Sequence, residues 1–335
     1  MIKTKAIYIR KNSSAKQLKI EDGDELKLPT GKEMIIKVKY SGINFADIMM
    51  RLGLYQDAPP KPYIPGYEVS GVVTHIGEEV RDFQVGDQVL AGTKFGGYSS
   101  HVKVLPYQVI KIPSHLSLEE AAALPVNFIT SYLCLDEIGR LRRGDRVVID
   151  CATGGVGSIA LQILRHLEIE TIGLTGNSSK FPAIEKYGAK AMTRDEFEKS
   201  PVKKEYKFIL NSSGSKKEIK DQLSRLQLGG HLLCLGLSSA ISDGKKSIPK
   251  LIKTLLTVPK LSLFDFMLGN ITMSGLNALT YFDDHKWVEK SMVKMKEYDF
   301  LKPNIHKSFP AANISEAHRE LETGKATGKV LLKWS

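Results

Sequence analysis

The stretch RVVIDCATGGVGSIALQIL, residues 146–164, decides the fold of this chain. Its beginning, Val147–Asp150, predicts a buried strand, and its apolar end predicts a helix. The turn between them, Ala152–Gly157, matches the glycine-rich fingerprint of a dinucleotide-binding unit, with alanine in the first glycine position. Gly154 would let the backbone approach a pyrophosphate, and Gly157 would let the helix pack closely on the strand. A tight strand–helix turn in another doubly wound fold is the alternative interpretation.

Strands and helices alternate after this turn. The apolar pattern predicts, in chain order, a helix, a strand, a helix, a strand, a helix and a strand at 157–167, 171–174, 180–187, 208–211, 219–226 and 231–235. Such a series predicts a parallel sheet covered by helices on both faces. Just before it, Ser117 and Glu120 form a capping-box pattern that predicts the start of a long helix, Leu118–Cys134.

The two ends of the chain show a different pattern. Residues 1–120 contain short strands, such as Glu68–Ile76, separated by turn residues, which indicates a mostly β structure that is partly closed. After residue 270 the alternation weakens, and the chain is inferred to return to its first domain. We therefore expect an α/β protein of two domains. Residues 1–120 and 271–335 would form the mostly β domain, and residues 121–270 the dinucleotide-binding domain.

The composition limits the class of protein. The chain has 335 residues, of which 42% are hydrophobic and 25% charged, as in globular proteins that bury a core. Its three cysteines are far apart, which favours reduced thiols in a cytoplasmic protein over a disulfide framework. The N-terminus predicts a strand instead of a signal peptide, and no apolar run is long and clean enough to span a bilayer. The net charge of +11 is spread along the chain, which favours a solvated basic surface over nucleic-acid binding.

The end of the second strand of the alternating series distinguishes NADP from NAD. In NAD sites a carboxylate at this point holds the ribose hydroxyl groups. Here Leu174–Lys180 reads LTGNSSK and contains no Asp or Glu. Hydroxyl groups, an amide and Lys180 could receive a 2′-phosphate, with Arg194 close by, so NADPH is the favoured cofactor. For Lys180 alone, a solvated lysine at the start of a helix is the alternative.

Eight segments, in order along nearly the whole chain, resemble the medium-chain dehydrogenase/reductase superfamily and, within it, the zinc-free quinone oxidoreductases. They are SGINFADIMMRLGLY (41–55), IPGYEVSGVV (64–73), VGDQV (85–89), GGYSSHV (96–102), EEAAALPVNFITSY (119–132), ATGGVGSIALQ (152–162), KYGA (186–189) and TGKATGKVLL (323–332). Residues 44–47 and 53–55, the prolines that follow them, and LGNITMSGLNAL (268–279) resemble the branch that contains the synaptic-vesicle membrane protein homologues.

The resemblance implies a bipartite fold. A GroES-like catalytic domain would be built from both chain ends, with a Rossmann domain between them and the cofactor in the cleft. It also implies a homodimer formed through the Rossmann domains. The cofactor-binding residues that we expect are Asn127, Thr130, Ala152, Thr153, Gly154, Gly155, Val156, Gly157, Thr175, Asn177, Ser178, Lys180, Arg194, Asn211, Gly236 and Asn277.

The residues that replace the usual zinc ligands predict a site without metal. Zinc-dependent relatives have Cys and His where this chain has Asn44 and Tyr67, and neither replacement is a usual zinc ligand. The eight histidines show no ligand spacing, and Val89–Ser100 lacks the clustered cysteines of a structural zinc lobe. Without a Lewis acid, oxidation of an alcohol is difficult. Reduction of an electron-poor quinone or enone needs mainly placement of the nicotinamide and a hydrogen bond to the developing oxyanion.

By resemblance, four side chains form the catalytic set. Asn44 would face the nicotinamide or the substrate oxygen, and Asp47 would orient that neighbourhood by accepting hydrogen bonds. Tyr55 would donate a hydrogen bond or a proton, and Tyr67 would occupy the region of the missing zinc. Asn44 and Asp47 could instead cap a short helix, and Tyr55, in a turn, could be a packing residue.

These features predict an NADPH-dependent, zinc-independent reductase of quinones or similar α,β-unsaturated carbonyl compounds, acting as a cytoplasmic homodimer. An enoyl-thioester reductase of the same superfamily is one alternative. A dinucleotide-binding protein with little turnover, acting at a membrane or as an interaction partner, is the other. The lysines at 245–260 alternate with apolar residues and could form a basic amphipathic helix. An ordinary helix beside the cleft is favoured over membrane contact.

Overall fold

The computed structural model describes residues 1–55, 57–236 and 261–335. It consists of two compact units, the first formed by Met1–Ile129 and Leu279–Ser335, the second by Thr130–Ala278. The sequence predicts boundaries after residues 120 and 270, which lie earlier in the chain than those of the structure. The basic helix predicted at 245–260 lies outside the described residues.

The first unit is built on antiparallel strands. They are β1 (Ile2–Ile7), β2 (Ile20–Leu26), β3 (Met34–Ile43), β4 (Glu68–Ile76), β5 (Gln88–Gly92), β6 (His101–Val104), β7 (Val109–Lys111), β14 (Ile305–Pro310) and β15 (Lys329–Lys333). Seven of them form one sheet in the order β14-β15-β3-β4-β5-β7, with β6 paired to β3, whereas β1 and β2 pair with each other. Only the β14–β15 pairing is parallel among the described strands of this unit. The predicted strand Glu68–Ile76 is confirmed at both of its ends.

In the part that the structure describes, the second unit is built on a six-stranded sheet in which each strand runs parallel to its neighbours. The strands are β8 (Arg146–Ile149), β9 (Glu170–Thr175), β10 (Lys190–Thr193), β11 (Tyr206–Asn211), β12 (Leu226–Cys234) and β13 (Thr272–Gly275). Their spatial order is β10-β9-β8-β11-β12-β13. Counted from β8 this is the order 3-2-1-4-5-6 of a Rossmann sheet, so the predicted fold class is confirmed.

The described helices connect and cover these sheets. They are α1 (Phe45–Arg51), α2 (Leu118–Ala121), α3 (Pro125–Tyr132), α4 (Gly155–His166), α5 (Pro182–Glu185), α6 (Arg194–Lys199), α7 (Lys216–Arg225), α8 (Leu263–Gly269), α9 (His285–Glu297) and α10 (Ile314–Glu322). The predicted single helix Leu118–Cys134 is wrong. The capping box at Ser117 and Glu120 does start α2, but Pro125 cannot continue that helix because it has no N–H to donate to the preceding turn. The chain therefore restarts as α3, which continues into a π-helix at Leu133–Ile138.

Candidate functional site

The predicted cofactor residues of the second unit gather at one edge of its sheet. Because all six strands are parallel, their carboxyl ends lie at the same edge. Thr175 and Asn211 end β9 and β11, and Arg194 comes directly after β10. Gly236 and Asn277 follow β12 and β13, whose ends are joined by the hydrogen bond from Leu276 N to Cys234 O. The glycine-rich turn follows β8 at this same edge.

The turn Ala152–Gly157 is crowded and leads directly into the first turn of α4. A Cβ atom on Gly157 would lie 2.7 Å from the Cα of Ala152, so a side chain there would collide with the backbone. At Gly154 the crowding is milder, since a Cβ would lie 3.3 Å from Cys151 O. The first helical hydrogen bond of α4 runs from Ser158 N to Gly154 O. The N–H groups of residues 155–157 come before it, at the start of the helix, where N–H groups have no acceptor within the helix. Such N–H groups at a helix start attract a phosphate.

The segment after β9 is short, polar and exposed. Thr175 is buried at the end of the strand, whereas residues 176–179 are exposed. Asn177 Oδ1 accepts a hydrogen bond from Ser179 N at 2.9 Å, so this predicted residue shapes its own turn. Lys180 is half-buried, and burial lowers its pKa, with the Arg194 cation lowering it further.

Arg194 forms a contact that the sequence did not predict. Its Nε donates to Asp150 Oδ1 at 2.8 Å, its Nη2 lies 2.7 Å from the same oxygen, and Nη2 also contacts Cys151 Sγ at 3.1 Å. The Asp150 side chain is 0% exposed. The available signal was a carboxylate at the end of an apolar strand, directly before the turn.

Three other predicted cofactor residues are buried in the protein. Asn211 donates from Nδ2 to Gln222 Oε1 at 2.8 Å and accepts from Gly214 N at 2.9 Å, so its side chain holds the loop after β11. Asn127 donates from Nδ2 to Ala123 O at 2.7 Å, inside the first unit. Thr130 is buried at the start of the second unit.

In the first unit, Asn44 lies in a buried ring of polar groups. Lys329 Nζ donates to Asn44 Oδ1 at 2.6 Å, and Asn44 Nδ2 donates to Glu68 Oε1 at 3.1 Å. Lys329 and Glu68 also form an ion pair with each other, with side chains 4% and 0% exposed. Glu68 Oε2 accepts from Val126 N at 2.8 Å, which connects this ring to the start of α3. Asn44 itself is half-buried.

Asp47 is fully buried directly behind Asn44. Its Oδ2 accepts from Asn44 N at 2.8 Å and from Tyr98 OH at 2.9 Å, whereas Oδ1 is buried with no hydrogen-bond partner. Burial raises the pKa of Asp47 to about 7, and these hydrogen bonds oppose the rise. Asp47 therefore combines the helix-capping role considered from the sequence with a fixed position for the Asn44 backbone.

The two predicted tyrosines differ in their surroundings. Tyr55 is half-buried against the core of the first unit. Tyr67 is 1% exposed, its OH donates to Met50 Sδ at 2.6 Å, and its ring lies 5.5 Å from that of Phe95. Burial raises the pKa of Tyr67 well above its usual value.

Sequence reasoning missed the charged partners of this region. Glu68 and Lys329 were not singled out, nor were the fully buried Arg51 and its ion-pair partner Glu322. The one local signal was a charged residue that begins an otherwise apolar strand, as Glu68 begins β4. The two residues of each ion pair lie far apart in the chain, so no local sequence pattern could predict that they pair.

Within residues 1–55, 57–236 and 261–335, no three His, Cys, Asp or Glu side chains come together as a metal ion would require. In the same part of the chain, none of the helices has both the length and the apolar character needed to cross a bilayer.

Comparison with protein families and relatives shows where the chain belongs. Residues 30–114 match the alcohol dehydrogenase GroES-like domain, and residues 186–332 match the family described as zinc-binding dehydrogenase. The chain is 32% identical over 312 residues to the synaptic vesicle membrane protein VAT-1 homolog of Danio rerio, covering 90% of this chain but only 64% of that protein. It is 30% identical over 319 residues to the probable quinone oxidoreductase of Schizosaccharomyces pombe, covering 92% and 91% of the two chains.

Solved structures share the whole fold. The Escherichia coli quinone oxidoreductase complexed with NADPH has a TM-score of 0.81 at 23% identity, covering 98% of this chain and 99% of that chain. The CurK enoyl reductase has a TM-score of 0.80 at 23% identity, covering 99% of each chain. At these identities the similarity shows the fold.

Proposed function

We propose that this chain, which belongs to the quinone oxidoreductase branch of the medium-chain dehydrogenase/reductase superfamily, is an NADPH-dependent, zinc-independent reductase of quinones or similar α,β-unsaturated carbonyl compounds. The observation that carries the proposal is the turn Ala152–Gly157, which lies at the carboxyl edge of a Rossmann sheet, excludes a side chain at Gly157 and leads into the start of α4. The name of the fission-yeast relative and the NADPH in the Escherichia coli structure support it.

The residues of the second unit fit a phosphorylated dinucleotide. The turn would hold the pyrophosphate, because it combines close backbone approach with helix N–H groups. The exposed segment 176–179 has hydroxyl and amide groups and no carboxylate, so it would not repel a 2′-phosphate. When bound, NADPH supplies a hydride to an electron-poor acceptor.

In the first unit, Asn44 is the residue best suited to polarise an acceptor oxygen. The ammonium group of Lys329 on Asn44 Oδ1 draws electron density from the amide, which strengthens its N–H groups as hydrogen-bond donors. One of these N–H groups is used by Glu68. The other would stabilise the charge that develops on a carbonyl oxygen during reduction. Asp47 keeps this amide in place by accepting the Asn44 backbone N–H.

We assign the proton-donating role to Tyr55 and a packing role to Tyr67. Tyr55 is half-buried at the margin of the core, whereas the hydroxyl of Tyr67 is buried and donates to Met50 Sδ. A proton donor must come within hydrogen-bond distance of the reacting atom, which a fully buried hydroxyl cannot do without rearrangement of the core.

We also propose that the partner is a second copy of the chain. Among the described strands, β13 pairs only with β12 and is an edge of the sheet. Helix α8, which precedes it, exposes four large apolar side chains: Leu263, Phe264, Met267 and Leu268. An open strand edge beside such a patch is typical of an interaction surface. Light scattering should give the mass of a dimer, and Leu268→Asp should reduce it to that of a monomer. A monomeric native protein contradicts the proposal.

The test of the proposed function is oxidation of NADPH and NADH against a panel of quinones, enones and enoyl-CoA thioesters. We expect NADPH with a quinone or enone to give the highest kcat/KM. Enoyl-CoA as the best acceptor would instead identify an enoyl-thioester reductase. Binding of NADPH without oxidation by any acceptor would identify a low-turnover binding protein.

The Asn44→Ala variant tests the assigned mechanism. Loss of one oxyanion donor reduces kcat by roughly 100-fold to 1000-fold in other enzymes, and we expect about 100-fold here. The Kd for NADPH should stay unchanged, and Asn313→Ala, at the start of α10, is the matched control. An unchanged kcat would show that Asn44 has only its structural role.

A further inference from the structure

Arg194 reaches across the end of one strand to a carboxylate on another. In the sheet of the second unit, β9 lies between β8 and β10. Asp150 follows β8, and Arg194 follows β10. Because Arg194 Nε and Nη2 both contact Asp150 Oδ1, at 2.8 Å and 2.7 Å, the guanidinium group crosses the carboxyl end of β9. In Rossmann domains this strand end is where the adenosine ribose is recognised.

One side of the guanidinium group is fixed and the other stays at the surface. Nε and Nη2 are held by Asp150, and Nη2 also contacts Cys151 Sγ. The third nitrogen, Nη1, lies beside Gly176, where a Cβ would come within 3.3 Å of it. The Arg194 side chain is 29% exposed, whereas that of Asp150 is 0% exposed. The Arg194 guanidinium group is therefore partly exposed at the end of β9, whereas the Asp150 carboxylate that pairs with it is fully buried.

Asp150 is not placed to bind a ribose itself. Its Oδ1 accepts from Cys151 N at 2.8 Å in addition to the guanidinium, and its Oδ2 accepts from Ser212 N at 3.3 Å. A ribose-binding carboxylate must present an oxygen to the ligand. The full burial of Asp150 and the use of both its oxygens leave it a positioning role.

We propose that Asp150 is a positioning residue for cofactor choice: it holds Arg194 across the end of β9 so that the free face of the guanidinium group binds the 2′-phosphate of NADPH. A long arginine side chain loses conformational freedom when it binds a phosphate, and one held beforehand loses less. The inference rests on the proposed function, because it takes NADPH as the cofactor.

The experiment is titration of the purified full chain with NADPH and with NADH, followed by fluorescence. Asp150→Asn keeps the shape of the side chain and removes its charge. We expect it to raise the Kd for NADPH about tenfold and to leave the Kd for NADH within about twofold. Arg194→Ala should raise the Kd for NADPH further, by about 100-fold, because a charge-assisted phosphate contact is lost.

A double-variant cycle separates positioning from an independent contribution. If Asp150 acts through Arg194, the double variant Asp150→Asn/Arg194→Ala should bind NADPH no more weakly than Arg194→Ala alone. Additive effects of the two changes would overturn the inference. Asp145→Asn, directly before β8 as Asp150 is directly after it, is the matched control for loss of one negative charge next to this strand.

Two further variants keep the test decisive. Lys180→Ala should have a smaller effect than Arg194→Ala, and the inference is overturned if Lys180 carries the whole preference for NADPH. If Asp150→Asn does not fold, Arg194→Lys replaces it as the test. A lysine ammonium keeps the charge but lacks the planar fork that contacts Asp150 Oδ1 through two nitrogens, so we expect Arg194→Lys to bind NADPH about tenfold more weakly than the unaltered chain. Full retention of NADPH preference by Arg194→Lys would overturn the inference.

The outcomes also separate this inference from the proposed function. If the unaltered chain binds neither cofactor, the proposed function fails. If the chain binds NADPH in preference to NADH and Asp150→Asn keeps that preference, only the role of Asp150 fails.

Discussion

Each of the two units buries an aspartate in contact with a candidate ligand-binding residue: Asp47 contacts Asn44, and Asp150 contacts Arg194. The surroundings that accommodate the two buried carboxyl groups differ. Asp47, in the first unit, is held by a backbone N–H and the hydroxyl of Tyr98, and burial raises its pKa to about 7. Asp150, in the second unit, has a guanidinium group 2.7 Å from its oxygen. Burial thus favours the protonated form of Asp47, whereas Asp150 is paired with a cation. The first unit therefore responds to pH at this point, and the second to the loss of a charge partner.

Breaking a buried ion pair in the first unit should have the largest effect on stability. Lys329→Met leaves the fully buried Glu68 without its cation. We expect a loss of roughly 3–5 kcal/mol in the free energy of unfolding, since an unpaired buried charge is costly. Urea denaturation measures it, and Lys333→Met, at the exposed end of the same strand, is the control. Equal stability of the two variants would contradict the view that this unit depends on interior charges.

Asp47 should give the first unit a distinctive pH dependence. Its pKa in the folded state, about 7, lies above its ordinary value of 3.8, so folding favours the protonated form. The stability that it contributes is complete below pH 3.8 and is lost as the pH rises through 7. One pKa unit corresponds to about 1.4 kcal/mol, which makes the loss about 4 kcal/mol at most. Asp47→Asn should remove this loss.

His318 opposes this trend and must be included in the measurement. Burial lowers its pKa to about 3 from an ordinary value of 6.5, so stability is lost as the pH falls below 6.5. The free energies of unfolding of the unaltered chain and of Asp47→Asn should be measured from pH 4 to pH 8. We expect the two curves to converge at low pH and to separate at high pH, where Asp47→Asn should be the more stable protein. Parallel curves would show that Asp47 is ionised at neutral pH.

In the second unit, shape should matter more than charge at the glycine-rich turn. Gly157→Ala places a Cβ 2.7 Å from the Cα of Ala152, and we expect a loss of about 1–3 kcal/mol without cofactor. Gly154→Ala should cost less, because its Cβ would meet only Cys151 O, at 3.3 Å. Thermal unfolding of the two variants decides between them, and the reverse order would mean that α4 does not pack on the turn as described.

The smallest effect on stability should come from Tyr67→Phe. This variant tests whether Tyr67 serves in packing and Tyr55 in the reaction. Its hydroxyl donates to a thioether sulfur, a weak acceptor, so Tyr67→Phe should change the free energy of unfolding by less than about 1 kcal/mol. Turnover should also be unchanged, whereas Tyr55→Phe should lower kcat by about tenfold or more. A larger loss of turnover in Tyr67→Phe would reverse the two assignments.

Local patterns in the sequence predicted the elements, and long-range pairings remained hidden. The alternation of strands and helices was sufficient to predict the parallel sheet, because buried parallel strands are continuously apolar. The apolar helical pattern continued across Pro125 and so predicted one helix, whereas the missing N–H of Pro125 divides it into two. Glu68, Lys329 and Asp150 were missed because their partners are set by the fold and lie far from them in the chain.

The ring around Asn44 also bears on the order in which the protein folds during synthesis. Lys329 and Asn44 are 285 positions apart, and β15, which begins at Lys329, lies between β14 and β3 in the sheet. Until β15 has been synthesised, Glu68 lacks its ion-pair partner, and β3 and β14 lack the strand that lies between them. The second unit is continuous in sequence and can complete its own sheet earlier. The parallel sheet of the second unit can therefore form during synthesis before the sheet of the first unit is complete.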